Sequence, residues 1–163
     1  MVERTERHIS ELKKVKMAGT SVSSVDQKEP WTLAQLGCGT AFTVARANSG
    51  LLYSWGRGDQ GQLGLGIVED VWAPRQLHFP GGRLVADIAV GFDHVIALVH
   101  GTGEIFSWGK GEDGQLGTGH SKGSLEPIPI VGFRHFIRCS AGDQHSAAIR
   151  RVGNKNRLYT WGS

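Results

Sequence analysis

The chain has 163 residues, enough for one domain, and carries 18 Lys and Arg against 15 Asp and Glu, a formal net charge of +3. So mild a balance gives no support to a nucleic-acid or chromatin contact, which needs a clustered basic face. No run approaches the roughly 18 apolar residues of a membrane span, and the polar start Met1-Val2-Glu3-Arg4 lacks the apolar core of a secretory signal.

Residues 1–30 form a polar leader with six basic and five acidic side chains. Ile9, Leu12 and Val15 make one weak helical stripe among Lys13, Lys14 and Lys16. The segment reads as disordered, with a basic docking helix as the alternative. From residue 31 the composition changes: almost all of the 24 glycines lie beyond residue 36. Such a chain asks for many backbone positions with positive φ, and so for many tight turns.

Three units follow, over about 31–84, 85–135 and 136–163. Residues 53–66, YSWGRGDQGQLGLG, and 106–119, FSWGKGEDGQLGTG, agree at nine of 14 positions. The pairs Trp55-Gly56, Trp108-Gly109 and Trp161-Gly162 are 53 residues apart both times. Periods of this size mark propellers or solenoids. Gly91-Phe92-Asp93-His94 matches Gly142-Asp143-Gln144-His145, and the apparent counterpart Gly37-Cys38-Gly39-Thr40 has Thr40 where the others have His. In the second unit Val85 to Val90, His94 to Val99, Glu104 to Trp108 and Ile128 to Val131 read as strands, and no segment offers a capped helix. Four short strands per repeat make one blade of a β-propeller, so the fold class is all-β, a partial propeller of antiparallel blades. The third unit stops at Ser163, directly after its Trp-Gly pair, and reads as a truncated blade of a longer protein. Two and a half blades leave apolar faces open, so residues 1–163 alone should be marginally folded or self-associating.

In the glycine loops, Gly56, Gly61 and Gly64 and their counterparts Gly109, Gly114 and Gly117 let the chain reverse. Gln62 and Gln115 can bond open backbone groups, and Leu63 and Leu116 can plug inward. Trp55, Trp108 and Trp161 offer large apolar faces between blades.

The string G-x-x-H-[Ser/Thr/Val]-x-Ala-[Leu/Ile], then aromatic-[Ser/Thr]-W-G-x-G-x-x-G-Q-L-G-x-G, then Pro74 or Pro127, resembles the regulator of chromosome condensation repeat over residues 31–163. Members are typically seven-bladed propellers. The resemblance implies a protein partner, with three readings open: a non-enzymatic interaction scaffold, a guanine nucleotide exchange factor for a Ran-like small GTPase, or a targeting domain of a larger ubiquitin ligase or kinase. By position, Asp93, His94, Asp143 and His145 match residues that help meet Ran in the exchange-active member, on the expectation that their turns are exposed on one face. The same histidines can instead be blade-building, bonding turn backbone. Trp72 either anchors a partner or covers the neighbouring blade.

Gly56-x-Gly58-x-x-Gly61 and Gly109-x-Gly111-x-x-Gly114 match the dinucleotide fingerprint, but Gln-Leu-Gly-x-Gly follows where a helix is required, so no direct nucleotide binding is expected. His94 and His100 are too far apart along an extended strand to share a metal. No cofactor, catalytic residue or membrane contact is indicated. Cys38 and Cys139 make no disulfide framework and suit a cytosolic or nuclear setting, with Cys139 read as a buried thiol.

Overall fold

A computed structural model describes residues 32–163 except Phe133. The expectations for residues 1–30 lie outside the described residues. Among the described residues eleven strands form three antiparallel sheets. The first holds β1 (Leu33–Cys38), β2 (Phe42–Ala47), β3 (Leu52–Gly56) and β4 (Val71–Leu77) in that spatial order. The second holds β5 (Val85–Val90), β6 (His94–Val99), β7 (Ile105–Gly109) and β8 (Ser124–Pro129). The third has three strands, β9 (Phe136–Ala141), β10 (His145–Val152) and β11 (Lys155–Gly162). Consecutive strands pair throughout, which makes each sheet a meander and the whole a partial β-propeller.

The second strand of blade 2 has neighbours on both sides in its sheet and a blade on each face. β6 reads His-Val-Ile-Ala-Leu-Val and is buried at all six positions. Strand periodicity divides those side chains. Val95 and Ala97 enter one core with Val44, Leu52, Leu63 and Trp108, between blades 1 and 2. Ile96 and Leu98 enter the other with Ile105, Phe136 and Ala148, between blades 2 and 3. Phe136 meets Tyr159 edge-on, with centroids 5.7 Å apart. The innermost strands are tied by Gln35, whose Nε2 donates to Asp87 Oδ1 (2.8 Å) and Ile88 O (2.9 Å) while its Oε1 accepts Ile88 N (3.1 Å).

The fourth strand of blade 2 is displaced from the apolar run Ile128–Val131. The ladder pairs Gly109 with Ser124 and Phe106 with Pro129, and ends as Ile130 N donates to Ile105 O. The polar Ser124-Leu125-Glu126 joins because an edge strand needs no second buried face. The third strand is likewise Ile105–Gly109 rather than Glu104–Trp108. Pro74 and Pro127 sit in these outer strands, where a missing N–H costs no ladder bond.

Because the strands alternate in direction, every loop falls at one of two ends. The β1–β2 type turns and the glycine loops share one, here called the turn end. The β2–β3 type hairpins and the connections between blades share the other, the hairpin end.

Candidate functional site

Ladder register fixes which residues are equivalent. Phe42 pairs with Gly56, His94 with Gly109 and His145 with Gly162. The turn before each closes the same way, with Gly39 N, Gly91 N and Gly142 N donating to the carbonyls of Phe42, His94 and His145. The counterpart of the histidines is therefore Phe42, not Thr40. Gly39 rather than Gly37 is the landmark glycine, and Ala45 answers to Ala97 and Ala148. The pattern G-x-x-Φ-x-x-Ala was legible, but the neighbouring Gly37 offered a competing frame.

Trp55, Trp108 and Trp161 pair with Thr43, Val95 and Ser146, which are equivalent positions. Trp108 is fully buried, and its Nε1 donates to Gln62 O of the preceding blade (3.1 Å). Trp161 does the same to Gln115 O (2.9 Å). Each of these two tryptophans thus reads the backbone of the glycine loop one blade back. That loop is shaped from within. Gln62 Oε1 accepts Gln60 N, Gln115 Oε1 accepts Asp113 N, and Leu63 and Leu116 are fully buried. Buried Ser54 and Ser107, which precede the tryptophans in the repeat string, donate to Leu63 O and Leu116 O at 2.7 Å each. Gly64 and Gly117 have φ of +68° and +68°, and a Cβ there would lie 2.7 Å from Nε1 of Trp108 and of Trp161. Glycine is needed twice over, for the left-handed backbone and for the indole's approach. After these glycines come turns and bends and no helix.

The turn end does not expose every residue expected there. Asp93 is 8% exposed and His94 is 0%. The third blade covers His94, through Ser146. Ser146 Oγ donates to Gln115 O (2.8 Å), so its remaining bond to His94 Nε2 (2.9 Å) requires the ring to donate. The network assigns His94 as the neutral Nε2–H tautomer, with Nδ1 buried and without a partner. Burial, and secondarily the neighbouring His145, pull the imidazole down to a pKa of about 4. His94 is a bolt between blades 2 and 3, bonded to a side chain rather than to turn backbone. Its counterpart His145 is exposed, as are Asp143 and Gln144.

What remains open at the turn end is a strip from blade 1 to blade 3. Thr40 donates to Phe92 O through both N (3.0 Å) and Oγ1 (2.7 Å), laying two turns side by side with Phe92 50% exposed. The first glycine loop abuts β8, with Gly66 N bonding Leu125 O at 2.9 Å. Trp72, on β4, is 83% exposed. Arg57 and Asp59 form a 2.6 Å ion pair that holds the Asp59 carboxyl below its usual range.

Among the described residues no three His, Cys, Asp or Glu side chains gather as metal ligands, and no helix is long and apolar enough to cross a membrane. Both cysteines are free. Cys38 is exposed, while burial pushes the Cys139 thiol up to about 12, so it stays protonated at neutral pH.

The profile described as "Regulator of chromosome condensation (RCC1) repeat" matches residues 49–98 and 102–149, and a second profile of that description matches 85–115. The chain belongs to the RCC1 repeat family. The ultraviolet-B receptor UVR8 of Arabidopsis thaliana is 35% identical over 130 residues, covering 78% of this chain and 29% of that protein. Human WBSCR16 superposes with a TM-score of 0.73 at 25% identity, over 85% of this chain and 35% of that one. Prp20p of Saccharomyces cerevisiae, described with its binding to Gsp1p and histones, gives a TM-score of 0.69 at 25% identity, over 80% and 33%. The chain therefore spans about a third of these three relatives.

Proposed function

We propose that the chain is a non-enzymatic RCC1-type docking module whose turn end meets a protein partner. The observation that carries this reading is the pairing of the Thr40 and Phe92 turns, which supports an exposed surface drawn from several blades. Phe92, Asp143, His145 and Trp72 are its contact residues. Specificity in such a module lies in the loops, with the blades as scaffold. Asp93 and His94 shape the surface from beneath.

A second reading, guanine nucleotide exchange on a Ran-like small GTPase, is favoured by the similarity to Prp20p together with the exposed carboxylate of Asp143. In it the turn-end loops prise the nucleotide and its magnesium from the GTPase, and this protein breaks no bond.

One experiment addresses both. A Ran-type GTPase carrying a fluorescent GDP analogue is titrated with the chain, following complex formation by calorimetry and nucleotide release by fluorescence. Binding without accelerated release supports docking alone, and accelerated release supports exchange. In either case Phe92→Ala with Asp143→Ala should weaken the complex about tenfold, a loss of about 1.4 kcal/mol. Unchanged affinity in that variant refutes the turn end as the contact surface, and no binding refutes the exchange reading.

A further inference from the structure

The small net charge hides a separation by end. At the turn end Asp59, Glu69, Asp70, Glu112, Asp113 and Asp143 outnumber Arg57, Lys110 and Lys122. At the hairpin end stand Arg83, Arg134, Arg150, Arg151, Lys155 and Arg157, with Glu104 as the carboxylate among them. Glu104 is already engaged, by Arg134 at 3.1 Å and Arg83 at 3.6 Å. On the β10–β11 hairpin, Arg150 stands directly across from Arg157, and Val152 from Lys155. Residues 145–162 contain no Asp or Glu, and Arg150 Nε donates to Arg134 O at 2.7 Å.

Arg151 lines an opening between blades, and Arg134 and Arg150 line a second one beside it, together with Glu104. A cleft of about 470 Å³ lies between blades 2 and 3 at the hairpin end. Leu98, Val99, Phe136 and Ile137 line it, together with Arg151 and His135. Backbone bonds sew the two blades together here, His135 N to Thr102 O and Phe136 N to Gly103 O, while Arg151 N to His135 O extends the β9–β10 ladder. A neighbouring hollow of about 410 Å³ shares His135 and adds Ile130, Val131, Arg134 and Arg150. Val131 is 76% exposed, and the Arg134 side chain 67%.

We propose that the hairpin end docks an acidic polypeptide segment with apolar side chains set among its carboxylates. The carboxylates meet Arg134, Arg151 and Lys155, and an apolar side chain enters the cleft. Charge complementarity selects an anionic partner, and the aliphatic lining selects a polypeptide over a nucleic acid. A phosphodiester chain is held by cations alone, and single strands add stacking on exposed aromatic rings. Among the described residues the strongly exposed aromatics, Trp72 and Phe92, lie away from this end, and Phe136 is 5% exposed. The inference goes beyond the docking role proposed for the turn end and does not depend on it.

The test measures fluorescence anisotropy of the whole chain with a labelled peptide of about twelve residues, Asp and Glu flanking a central Leu-Phe pair, alongside a single-stranded and a duplex DNA probe of similar charge. Arg151→Glu and Lys155→Glu, shown by circular dichroism to be folded, should together weaken the peptide at least about tenfold, the signature of removed charge pairs. Lys122→Glu, a like charge change at the other end, should leave affinity unaltered. Replacing Leu-Phe by Gly-Gly should cost about fivefold or more, as apolar burial is lost. DNA bound as tightly as the peptide overturns the proposal. So does absence of peptide binding, or indifference to the two substitutions in a folded variant.

Discussion

Acid should loosen the joint between blades 2 and 3 through His94. The ring is neutral and fully buried, donating from Nε2 to Ser146, with its pKa drawn down to about 4. In the unfolded chain an imidazole titrates near 6.5. Between these values the unfolded state binds the proton and the folded state does not, so stability falls as pH drops through that window. It is fully present above about 6.5 and fully lost below about 4. A depression of this size is worth about 3 kcal/mol in total, at 1.36 kcal/mol per unit, and about 2 kcal/mol of it should vanish between pH 7 and pH 5. Phe42 stands at the same position of blade 1, so His94→Phe is the fitting control: it fills the space and cannot titrate. Urea denaturation followed by tryptophan fluorescence, at pH 7 and pH 5, should show wild type losing about 2 kcal/mol more than His94→Phe. Equal losses in the two proteins would refute the buried neutral imidazole.

Three further outcomes are expected. Gly64→Ala should cost at least about 2 kcal/mol in chemical denaturation, from positive φ and collision with the Trp108 indole. Gly101→Ala, with φ +78° and no atom within 4 Å of the added Cβ, should cost about 1 kcal/mol, so equal costs would deny the collision. Trp108→Ala should destabilise by about 3–5 kcal/mol, and half-buried Trp55→Ala by clearly less, read from the same transitions. The chain of residues 1–163 should self-associate in sedimentation velocity, because Leu36 (59% exposed) and Leu158 (69%) leave apolar surface on the outer blades. A monodisperse monomer unfolding cooperatively above about 5 kcal/mol contradicts that.

The repeat by itself makes the blades legible. A 53-residue spacing between Trp-Gly pairs is enough to place Trp55, Trp108 and Trp161 at one register position, since identical strings build identical ladders. The inward leucines and the self-bonding glutamines of the glycine loops follow from the same local strings, because turns are decided by residues close in sequence. Three features depended on the tertiary structure. Phe42 displaced Thr40 as the partner of the histidines, because equivalence is set by cross-strand pairing and two nearby glycines left the frame ambiguous. His94 went under the third blade and Asp93 is buried as well, whereas Asp143 and His145 are exposed in this chain. Burial of a turn depends on what abuts it, and a turn's own residues do not carry that information. The charges, nearly balanced in sum, were sorted to opposite ends by the alternation of strand direction. Composition adds charges without their positions, so only the folded meander could separate an acidic turn end from a basic hairpin end.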